Sequence, residues 1–409
     1  MFHRYPEPGW LTFFATLFLA EHLEQAGYEV YVGREILGTE KLMDAPKEEE
    51  IRRFERAALE RCPELAEKWL LRMQDETVVV AILDTKRAGW TRAYRFDMDA
   101  LFVKESEDGQ RLPNREHFCS ENGGISHACG HDGHMAIGLA LAEKIAFEKE
   151  SLNGKYIFVF QPAEEGVRGA FAFCHQWRFG RIDRLICCHI GFAPENTFVA
   201  GAKGFLATTK FDVEFFGKSA HAGLAPERGK NALLAAAEAV VRMQEIRCPM
   251  PGVTRLNVGQ FQAGESRNTI PAHAWIQVET RGENGALDTY MKEATLACIR
   301  EACEHYQVRF EVIWQGASVS ASSDPVFAQE ILECAERTGG FDRYLLTRDF
   351  GASDDGAVFM DMVQKQGGRA AYLLFGTKTW GLHHEAVFDF DESVLEKAWK
   401  VLYETARIR

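Results

Sequence analysis

The sequence has little positive charge relative to negative charge, and this imbalance limits what the protein can bind. Its 409 residues include 47 Lys and Arg against 60 Asp and Glu, a formal net charge of −13. A surface that binds the phosphate backbone of nucleic acid is basic, and this composition leaves room only for local positive pockets. We therefore expect no nucleic-acid partner.

The sequence also lacks a hydrophobic run long enough to cross a bilayer. The apolar stretch within MFHRYPEPGWLTFFATLFLAEHL (1–23) is short, follows Pro6, Glu7 and Pro8, and precedes no A-x-A cleavage site. We expect a buried helix here, no signal peptide and no membrane partner.

Cysteine is present but is not arranged as in a disulfide-rich or redox protein. The ten cysteines are spread from Cys62 to Cys334, and none has the C-x-x-C spacing of a thiol redox motif. The adjacent Cys187 and Cys188 lie in an apolar run and are most simply small core residues. We expect reduced thiols and a cytoplasmic protein.

The pattern of apolar runs predicts an α/β fold in two domains, since 409 residues exceed one ordinary core. Helical patterns, such as 134–149 and 325–338, separate most of the β-rich runs, which predicts a mostly parallel sheet with helices on both faces. The β-rich runs are 77–84, 91–99, 155–162, 184–190 and 370–376.

Between about 203 and 316 the order changes to βαββαβ, that of a ferredoxin-like unit. We predict a catalytic domain of 1–203 and 316–409, with an inserted lid or dimerisation domain of 204–315. Ligands prefer the cleft between two such domains. The region 34–74 is charged and helical in pattern and shows no chemistry of its own.

The stretch HACGHDGH (127–134) is the first candidate metal site. Cys129 and His131 stand two residues apart in a glycine-bearing turn before a helix predicted to begin at 134. Thiolate and imidazole both bind zinc, manganese or cobalt. Alone, the stretch could equally be a polar turn in front of a helix.

Three further clusters of ligand-type residues follow predicted strands. Glu164 and Glu165 lie in FQPAEEG (160–166), where one carboxylate can bind metal while the other carries a proton. His189 ends the apolar LICCHIG (185–191), and His383 and His384 lie in GLHHEAVFDFDE (381–392). Each alone could be a solvated loop pair or a hydrogen-bonded core histidine.

Together these clusters are a stronger signal, because strand ends of an α/β sheet meet at one edge. Five protein ligands exceed the three usual for one open catalytic zinc and therefore favour a two-metal centre, with Glu164 left as the base. The five are Cys129, His131, Glu165, His189 and one of the pair His383 and His384.

With these clusters, the sequence resembles the co-catalytic metallo-aminoacylases and carboxypeptidases, in the branch of hippurate and auxin-conjugate hydrolases. Within that branch, GREIL (33–37) and the charged 34–74 segment resemble the aminobenzoyl-glutamate hydrolase subgroup. The chain begins almost inside the HRYPEPG motif, so Met1 is either an internal start or follows a lost first helix. The shared motifs are RFDMDAL, HACGHDGH, QPAEEG, CCHIG, GKSAHAG, NTIP, SDD and HEAVFDFDE.

The resemblance implies a role for each matched residue. Glu164 matches the general base and Asp99 an orienting carboxylate beneath the metals, while Asp97 stands where sister branches carry a histidine ligand. His384 is preferred to His383 because its distance to the DFDE acids fits the final motif. The implied metal ligands are Cys129, His131, Glu165, His189 and His384.

Three residues of the inserted domain match substrate contacts, and a fourth, Arg267, is a further candidate. His221 matches a histidine that reaches the substrate, in the family often across a dimer interface, where it could stabilise an oxyanion. Asn268 and Arg281 match positions that hold the substrate carboxylate. Arg267 is either an extra cation for the substrate or an ordinary surface charge.

The resemblance implies hydrolysis, dependent on two divalent ions, of the amide bond of an N-acyl amino acid, with p-aminobenzoyl-glutamate as the expected substrate. The metals would be manganese or zinc, with cobalt as a further alternative. The chain would form a homodimer through the inserted domain or a heteromer with a related B subunit. The alternatives are a broader N-acyl-amino-acid amidohydrolase or peptidase, and a non-catalytic metal-binding subunit.

Overall fold

The protein divides into two compact units in a computed structural model that describes residues 1–38 and 42–408. The first unit comprises Met1–Gly204, Ala321–Phe350 and the chain from Asp354 onward, and the second comprises Phe205–Ser320 and Gly351–Ser353. The predicted insertion runs from 204 to 315, so the second unit extends five residues further, to Ser320.

Within the described residues, the first unit begins with a run of α-helices and β-strands before the chain enters the second unit. In chain order these are α1 (Phe13–Gln25), β1 (Glu29–Val32), α2 (Arg34–Leu37), α3 (Glu48–Arg61), α4 (Pro63–Met73), β2 (Val79–Asp84), β3 (Thr91–Asp97), α5 (Leu112–Arg115), α6 (His131–Phe147), β4 (Lys155–Gln161), α7 (Gly169–His175), β5 (Arg184–Ile190), β6 (Thr197–Val199) and β7 (Ala202–Lys203).

The second unit has the βαββαβ order expected of a ferredoxin-like domain. Its sheet order is β11-β8-β10-β9 and every pairing is antiparallel. Apolar side chains of the sheet and of both helices, among them Phe211, Ile276 and Ile299, form its buried core. The elements are β8 (Ala207–Phe216), α8 (Ala232–Met243), β9 (Thr254–Ala263), β10 (His273–Gly282), α9 (Gly285–Tyr306) and β11 (Arg309–Ser318).

The chain then completes the first unit, whose main sheet has eight strands in the order β1-β2-β4-β3-β5-β14-β6-β12. The central strands β4, β3, β5 and β14 run parallel, which confirms the mostly parallel α/β fold. The closing elements are α10 (Pro325–Thr338), β12 (Arg343–Leu345), β13 (Arg348–Asp349), α11 (Gly356–Lys365), β14 (Arg369–Phe375), β15 (Thr379–Trp380), β16 (Asp389–Phe390) and α12 (Ser393–Thr405).

The first β-rich run differs from its parallel neighbours. Strand β2 pairs antiparallel with both β1 and β4. Strands β2 and β3 lie on either side of β4 in the sheet. The connection between them, residues 85–90, is too short for the crossover that would make them parallel. An antiparallel edge of the sheet follows from that length.

Close packing fixes helix α6 against the centre of the sheet. Gly138 lies over the rings of Phe96 and Phe160, and a Cβ at this glycine would stand 2.6 Å from Phe96 Cδ2. The axis of α6 can therefore approach β3 and β4 closely, which brings the start of the helix to the ends of those strands.

The remaining sequence expectations concern the N-terminal half. The apolar stretch near the start forms the buried helix α1, and the 34–74 segment forms α2, α3 and α4, with 39–41 outside the described residues. All ten cysteines are free thiols. Within the described chain, no helix is both long enough and apolar enough to cross a membrane.

Candidate metal centre

The candidate site lies at the edge where the parallel strands β3, β4 and β5 end. Asp99 follows β3, the pair Glu164 and Glu165 follows β4, and His189 is the penultimate residue of β5. Because neighbouring parallel strands end at one edge, their polar ends come together there.

Helix α6 and the turn before it add His131 and Cys129 to this edge. The helix begins at His131, three residues earlier than predicted, and Gly130 precedes it with a φ of +83°. That left-handed conformation is accessible to glycine without a steric cost. The predicted turn therefore ends at Cys129 and Gly130, and His131 lies in the first turn of the helix.

The structure gathers all five predicted ligands and Glu164 into one connected cluster. Ligand atoms lie within 4.8 Å of one another in three overlapping groups: Cys129, His131 and His189; Cys129, Glu165 and His384; and His131, Glu164 and Glu165. Cys129 Sγ stands 3.6 Å from His189 Nε2, and His384 Nε2 stands 3.4 Å from Glu165 Oε1.

Main-chain carbonyls orient both buried histidine rings of the cluster. Nδ1 of His131 donates to the carbonyl of Asp99 at 2.8 Å, and Nδ1 of His189 donates to the carbonyl of Ile190 at 2.7 Å. The proton on Nδ1 leaves Nε2 with its lone pair, the form in which histidine binds metal. His131 Nε2 is buried without a hydrogen-bond partner, which fits a site built for a cation.

Asp99 acts on the main chain of the glutamate pair. Its two carboxylate oxygens accept the N–H groups of Glu164 and Glu165, at 2.9 Å and 3.1 Å. Burial, together with the neighbouring Glu165 carboxylate, raises the pKa of Asp99 well above its ordinary value. These two contacts of Asp99 fix where the glutamate loop begins.

His134 lies close enough to Asp97 and His131 to share a metal ion with them, with ligand atoms within 4.8 Å of one another, but both of its ring nitrogens are already hydrogen-bonded. Nδ1 donates to the carboxylate of Asp97, and Nε2 accepts the N–H of Ile190 at 2.9 Å. Burial alone would raise the pKa of Asp97, but His131, His134 and Arg95 hold it well below its ordinary value. His134 therefore links Asp97 to strand β5 and offers no free lone pair.

A buried ion-pair network that sequence reasoning missed lies beside this cluster. Arg95, completely buried, contacts Asp97 at 2.7 Å and Asp355 at 2.8 Å, with Asp354 at 3.6 Å. Asp355 also accepts the first N–H groups of helix α7. The sequence signal is the motif SDD, to which the sequence alone assigned no role, together with an arginine inside an apolar strand.

The acidic groups of the cluster are held at different charges by their surroundings. Burial, with the nearby Asp354 and Glu165 carboxylates, raises the pKa of Glu164 well above its ordinary value. Burial opposes ionisation of Glu165 as well, but His384 and His131 lower its pKa. Burial and the two glutamates raise the pKa of the Cys129 thiol. A divalent cation would favour the ionised form of all three groups, and so would oppose the rise in pKa at Glu164 and Cys129.

The two adjacent histidines near the C-terminus have different surroundings. His383 stacks on Phe192 with ring centroids 4.1 Å apart, and burial lowers its pKa to about 4. His384 has a φ of +72°, and its side chain approaches Glu165. The left-handed main chain thus turns His384 into the cluster, whereas His383 packs against aromatic rings.

The four residues predicted to contact substrate belong to the second unit. The His221 Nδ1 atom accepts the N–H groups of Gly223 and Leu224, each at 3.1 Å, and the Asn268 carbonyl accepts the N–H of Ala222 at 2.9 Å. Arg267 is exposed, and Arg281 on β10 pairs with Glu279 at 3.0 Å. His221 and Asn268 are therefore neighbours within this unit.

Comparison with known proteins gives a consistent result. A family model described as Peptidase family M20/M25/M40 matches residues 93–408. The A subunit of p-aminobenzoyl-glutamate hydrolase of Escherichia coli K12 is 40% identical over 409 residues, covering 99% of this chain and 93% of the relative. Indole-3-acetyl-aspartic acid hydrolase of Enterobacter agglomerans is 41% identical with the same coverage.

A solved structure extends the likeness to the whole fold. An aminobenzoyl-glutamate utilization protein from Klebsiella pneumoniae superimposes with a TM-score of 0.83 at 35% identity. The superposition covers 98% of this chain and 92% of the other. The similarity therefore includes both units and the 34–74 segment.

Proposed function

This chain belongs to Peptidase family M20/M25/M40, and from that membership we propose that it is a metal-dependent amidohydrolase that cleaves the amide bond of N-acyl acidic amino acids. We favour p-aminobenzoyl-glutamate as the substrate. The relatives support this choice, since one is named for p-aminobenzoyl-glutamate and the other for indole-3-acetyl-aspartic acid. Both names describe an aromatic acyl group joined to a dicarboxylic amino acid.

One observation carries the catalytic part of the proposal. Five donors of the types that bind borderline divalent metals converge from separate segments, and His131 Nε2 is buried with no hydrogen-bond partner. A cluster of thiol, imidazole and carboxylate groups without a bound cation would leave that lone pair uncompensated. The donor set therefore fits a pair of divalent ions.

In this proposal Cys129, His131, Glu165, His189 and His384 hold two divalent ions, with manganese and zinc favoured and cobalt a further alternative. Bound metal would supply Lewis acidity and lower the pKa of a coordinated water. Main-chain carbonyls orient the histidine donors, and the Asp99 side chain holds the main chain of the glutamate pair. In this proposal neither the carbonyls nor Asp99 bind the metal themselves.

Glu164 is the general base of the proposed reaction. Its carboxylate takes a proton from the attacking water and passes it to the leaving amide nitrogen. The hydrogen bond from its N–H to Asp99 fixes the main chain at this position, so the carboxylate swings only about its side-chain bonds. Burial excludes bulk water from competing as the proton carrier.

The second unit supplies recognition in this proposal. Nε2 of His221 donates to the oxyanion that forms on the substrate carbonyl, since Nδ1 already accepts two main-chain N–H groups. Asn268 and Arg281 hold the α-carboxylate, and Arg267 holds the side-chain carboxylate of an acidic amino acid. An arginine pair would account for a preference for dicarboxylic substrates.

The name of one relative, which describes it as the A component of its hydrolase, raises the question of a partner. We propose that the chain assembles either with a second copy of itself through the second unit or with a related B subunit. The alternative is a non-catalytic role in such a complex, and the presence of a complete donor set together with Glu164 speaks against it.

The test is hydrolysis by the purified chain alone, after metal removal and after addition of Mn²⁺ or Zn²⁺. We expect metal-dependent release of p-aminobenzoate from p-aminobenzoyl-glutamate and slower turnover of hippurate and N-acyl-leucine. Faster turnover of indole-3-acetyl-aspartate would favour the auxin conjugate as the substrate. No turnover of any of the four by the metal-loaded chain would contradict the proposal of a self-sufficient enzyme.

A further inference from the structure

One side chain of the charged 34–74 segment contacts the loop that carries the glutamate pair. Asp44 forms an ion pair with Nη1 of Arg168. Nε of the same guanidinium donates to the main-chain carbonyl of Glu165 at 2.8 Å. A single planar group therefore joins the segment to a candidate metal ligand through two donors in a fixed geometry.

The loop that Arg168 contacts has a costly backbone conformation. Ala163 has a φ of +57° and Val167 a φ of +60°. The left-handed region is sparsely populated for residues with a Cβ, and it is most unfavourable for a β-branched residue such as valine. Backbone of this kind persists only where surrounding contacts determine it, so the glutamate loop depends on its supports.

Two side chains support this loop, one as a hydrogen-bond acceptor and the other as a hydrogen-bond donor. Asp99 accepts the N–H groups of Glu164 and Glu165, whereas Arg168 donates to the carbonyl of Glu165. The peptide groups on both sides of Glu165 are thus bound, one by the Asp99 carboxyl group and the other by the Arg168 guanidinium. Loss of either support would free one of the two dihedral angles that aim the Glu165 side chain.

The N-terminal segment fixes the position of the guanidinium and of Asp44. Gly9 lies directly against Arg168, since a Cβ at Gly9 would stand 2.8 Å from Nη2. The Gly9 carbonyl accepts the N–H of Ala163 at 3.1 Å, and Trp10 Nε1 donates to the carbonyl of Met43 at 2.9 Å. The residue beside Asp44 is therefore tied to the same segment that lies beneath Arg168.

We propose that Arg168 is a positioning residue for the Glu164–Glu165 pair and that Asp44 of the 34–74 segment holds it in that role. The proposal rests on the proposed function, in which Glu165 is a metal ligand. Arg168 acts through the main chain of Glu165, so its loss weakens metal binding without removing a donor. The charged segment becomes part of the support of the metal centre.

The test compares Arg168→Met and Asp44→Asn. Methionine keeps an unbranched apolar stem and removes every donor, while asparagine matches the shape of aspartate and tolerates the φ of +47° at position 44. Mn²⁺ affinity is measured by calorimetric titration of chelator-treated full-length protein, with kcat and KM measured separately. We expect Arg168→Met to lower Mn²⁺ affinity about 10- to 100-fold, as other outer contacts of metal ligands do.

Asp44→Asn should lower the affinity by about 2- to 5-fold, the range of a partly exposed ion pair. The double variant should equal Arg168→Met alone, because Asp44 acts only through Arg168. The matched control is Asp75→Asn, which breaks the bidentate pair of Asp75 with Arg52 at 2.9 and 3.0 Å in the same region. This control should bind Mn²⁺ as the unaltered chain does.

The proposal is overturned if Asp44→Asn binds Mn²⁺ no more weakly than Asp75→Asn, or if the effects of Asp44→Asn and Arg168→Met multiply in the double variant. Thermal unfolding checks that each variant folds. If Arg168→Met does not fold, the comparison of Asp44→Asn with Asp75→Asn tests the proposal. The titration needs no substrate. If the unaltered chain bound Mn²⁺ but hydrolysed nothing, the proposed function would be contradicted. The titration of the variants would still test the positioning role of Arg168.

Discussion

The candidate metal cluster of the first unit and the polar patch formed by His221, Arg267 and Asn268 in the second unit both contain histidine, but most of the cluster is buried and the patch is exposed. Cluster groups such as His131 and His189 are buried and oriented by main-chain carbonyls. The three patch residues are exposed, and the hydrogen bonds of His221 and Asn268 are made within the two loops that carry them. Fixed, dry groups suit bond-breaking chemistry, and exposed groups suit recognition of a charged ligand.

This contrast predicts that changes in the cluster alter kcat or stability, whereas changes at Arg267 and Asn268 of the patch alter KM; His221, the proposed oxyanion donor, should alter kcat. The largest expected effect is that of Glu164→Gln. Glutamine keeps the N–H that Asp99 accepts but cannot take a proton, so we expect kcat to fall by about 10²- to 10⁴-fold with little change in KM. Steady-state kinetics on metal-loaded protein provides the measurement.

Metal content serves as the control for that variant, since Glu164 is not among the five proposed ligands. Mn²⁺ affinity close to that of the unaltered chain, together with lost turnover, would agree with the role of base. If a Glu164→Gln protein fully loaded with metal kept normal turnover, Glu164 would not be the general base, and the proposed catalytic role of the cluster would be contradicted.

A second prediction concerns stability and compares one arginine from each unit. Arg95 is fully buried among Asp97, Asp354 and Asp355, so Arg95→Met leaves buried carboxylates uncompensated and should cost about 3–5 kcal/mol. Arg281 pairs with Glu279 at a partly exposed position, so Arg281→Met should cost at most about 1 kcal/mol. Urea unfolding of both variants measures the difference, and equal losses would contradict it.

The sequence was sufficient for much of the fold and for the donors of the site, for a physical reason. Buried strands such as β4 and β5 are apolar almost throughout, so local patterns locate them and the polar residues that follow. The crossover rule for parallel strands then brings those residues together. The ferredoxin-like order of the second unit is equally visible in local patterns.

Other features depend on which distant side chains meet, and no local pattern contains that information. Arg95 and Asp355 are 260 residues apart in sequence, and their pairing follows from strand order. His383 and His384 are adjacent, and their different surroundings depend on the distant ring of Phe192 and on the left-handed main chain at His384. The action of Asp99 on main-chain N–H groups likewise depends on a loop conformation with two non-glycine residues, Ala163 and Val167, at positive φ.

A third prediction sharpens the contrast by testing recognition alone. Arg281→Gln should raise KM for all N-acyl amino acids by about 10- to 100-fold, the range for a lost hydrogen bond to a charged group. Arg267→Gln should raise KM only for substrates with a second carboxylate, such as p-aminobenzoyl-glutamate. N-Acyl-leucine serves as the comparison substrate, and equal effects of Arg267→Gln on both substrates would assign Arg267 to general surface charge.

The last prediction concerns the pH dependence of stability contributed by Glu7. Its carboxylate is buried against the N–H groups of Phe14 and Ala15 at the start of α1, and burial raises its pKa to about 8. The folded state therefore binds more protons than the unfolded state between the ordinary value near 4.5 and 8. Across that interval the free energy of unfolding should fall as pH rises, by at most about 1.4 kcal/mol per pH unit.

Glu7→Gln removes this titration, so its unfolding free energy should change less between pH 5 and pH 8 than that of the unaltered chain. The amide can accept only one of the two N–H groups, and the variant should therefore be the less stable protein at pH 5, with the gap closing as pH rises. Urea unfolding at a series of pH values measures both curves, with Glu150→Gln as the control at an exposed carboxylate. Parallel curves for Glu7→Gln and the unaltered chain would show that Glu7 is ionised in the folded protein, and that burial of a carboxylate in the first unit does not by itself set its charge.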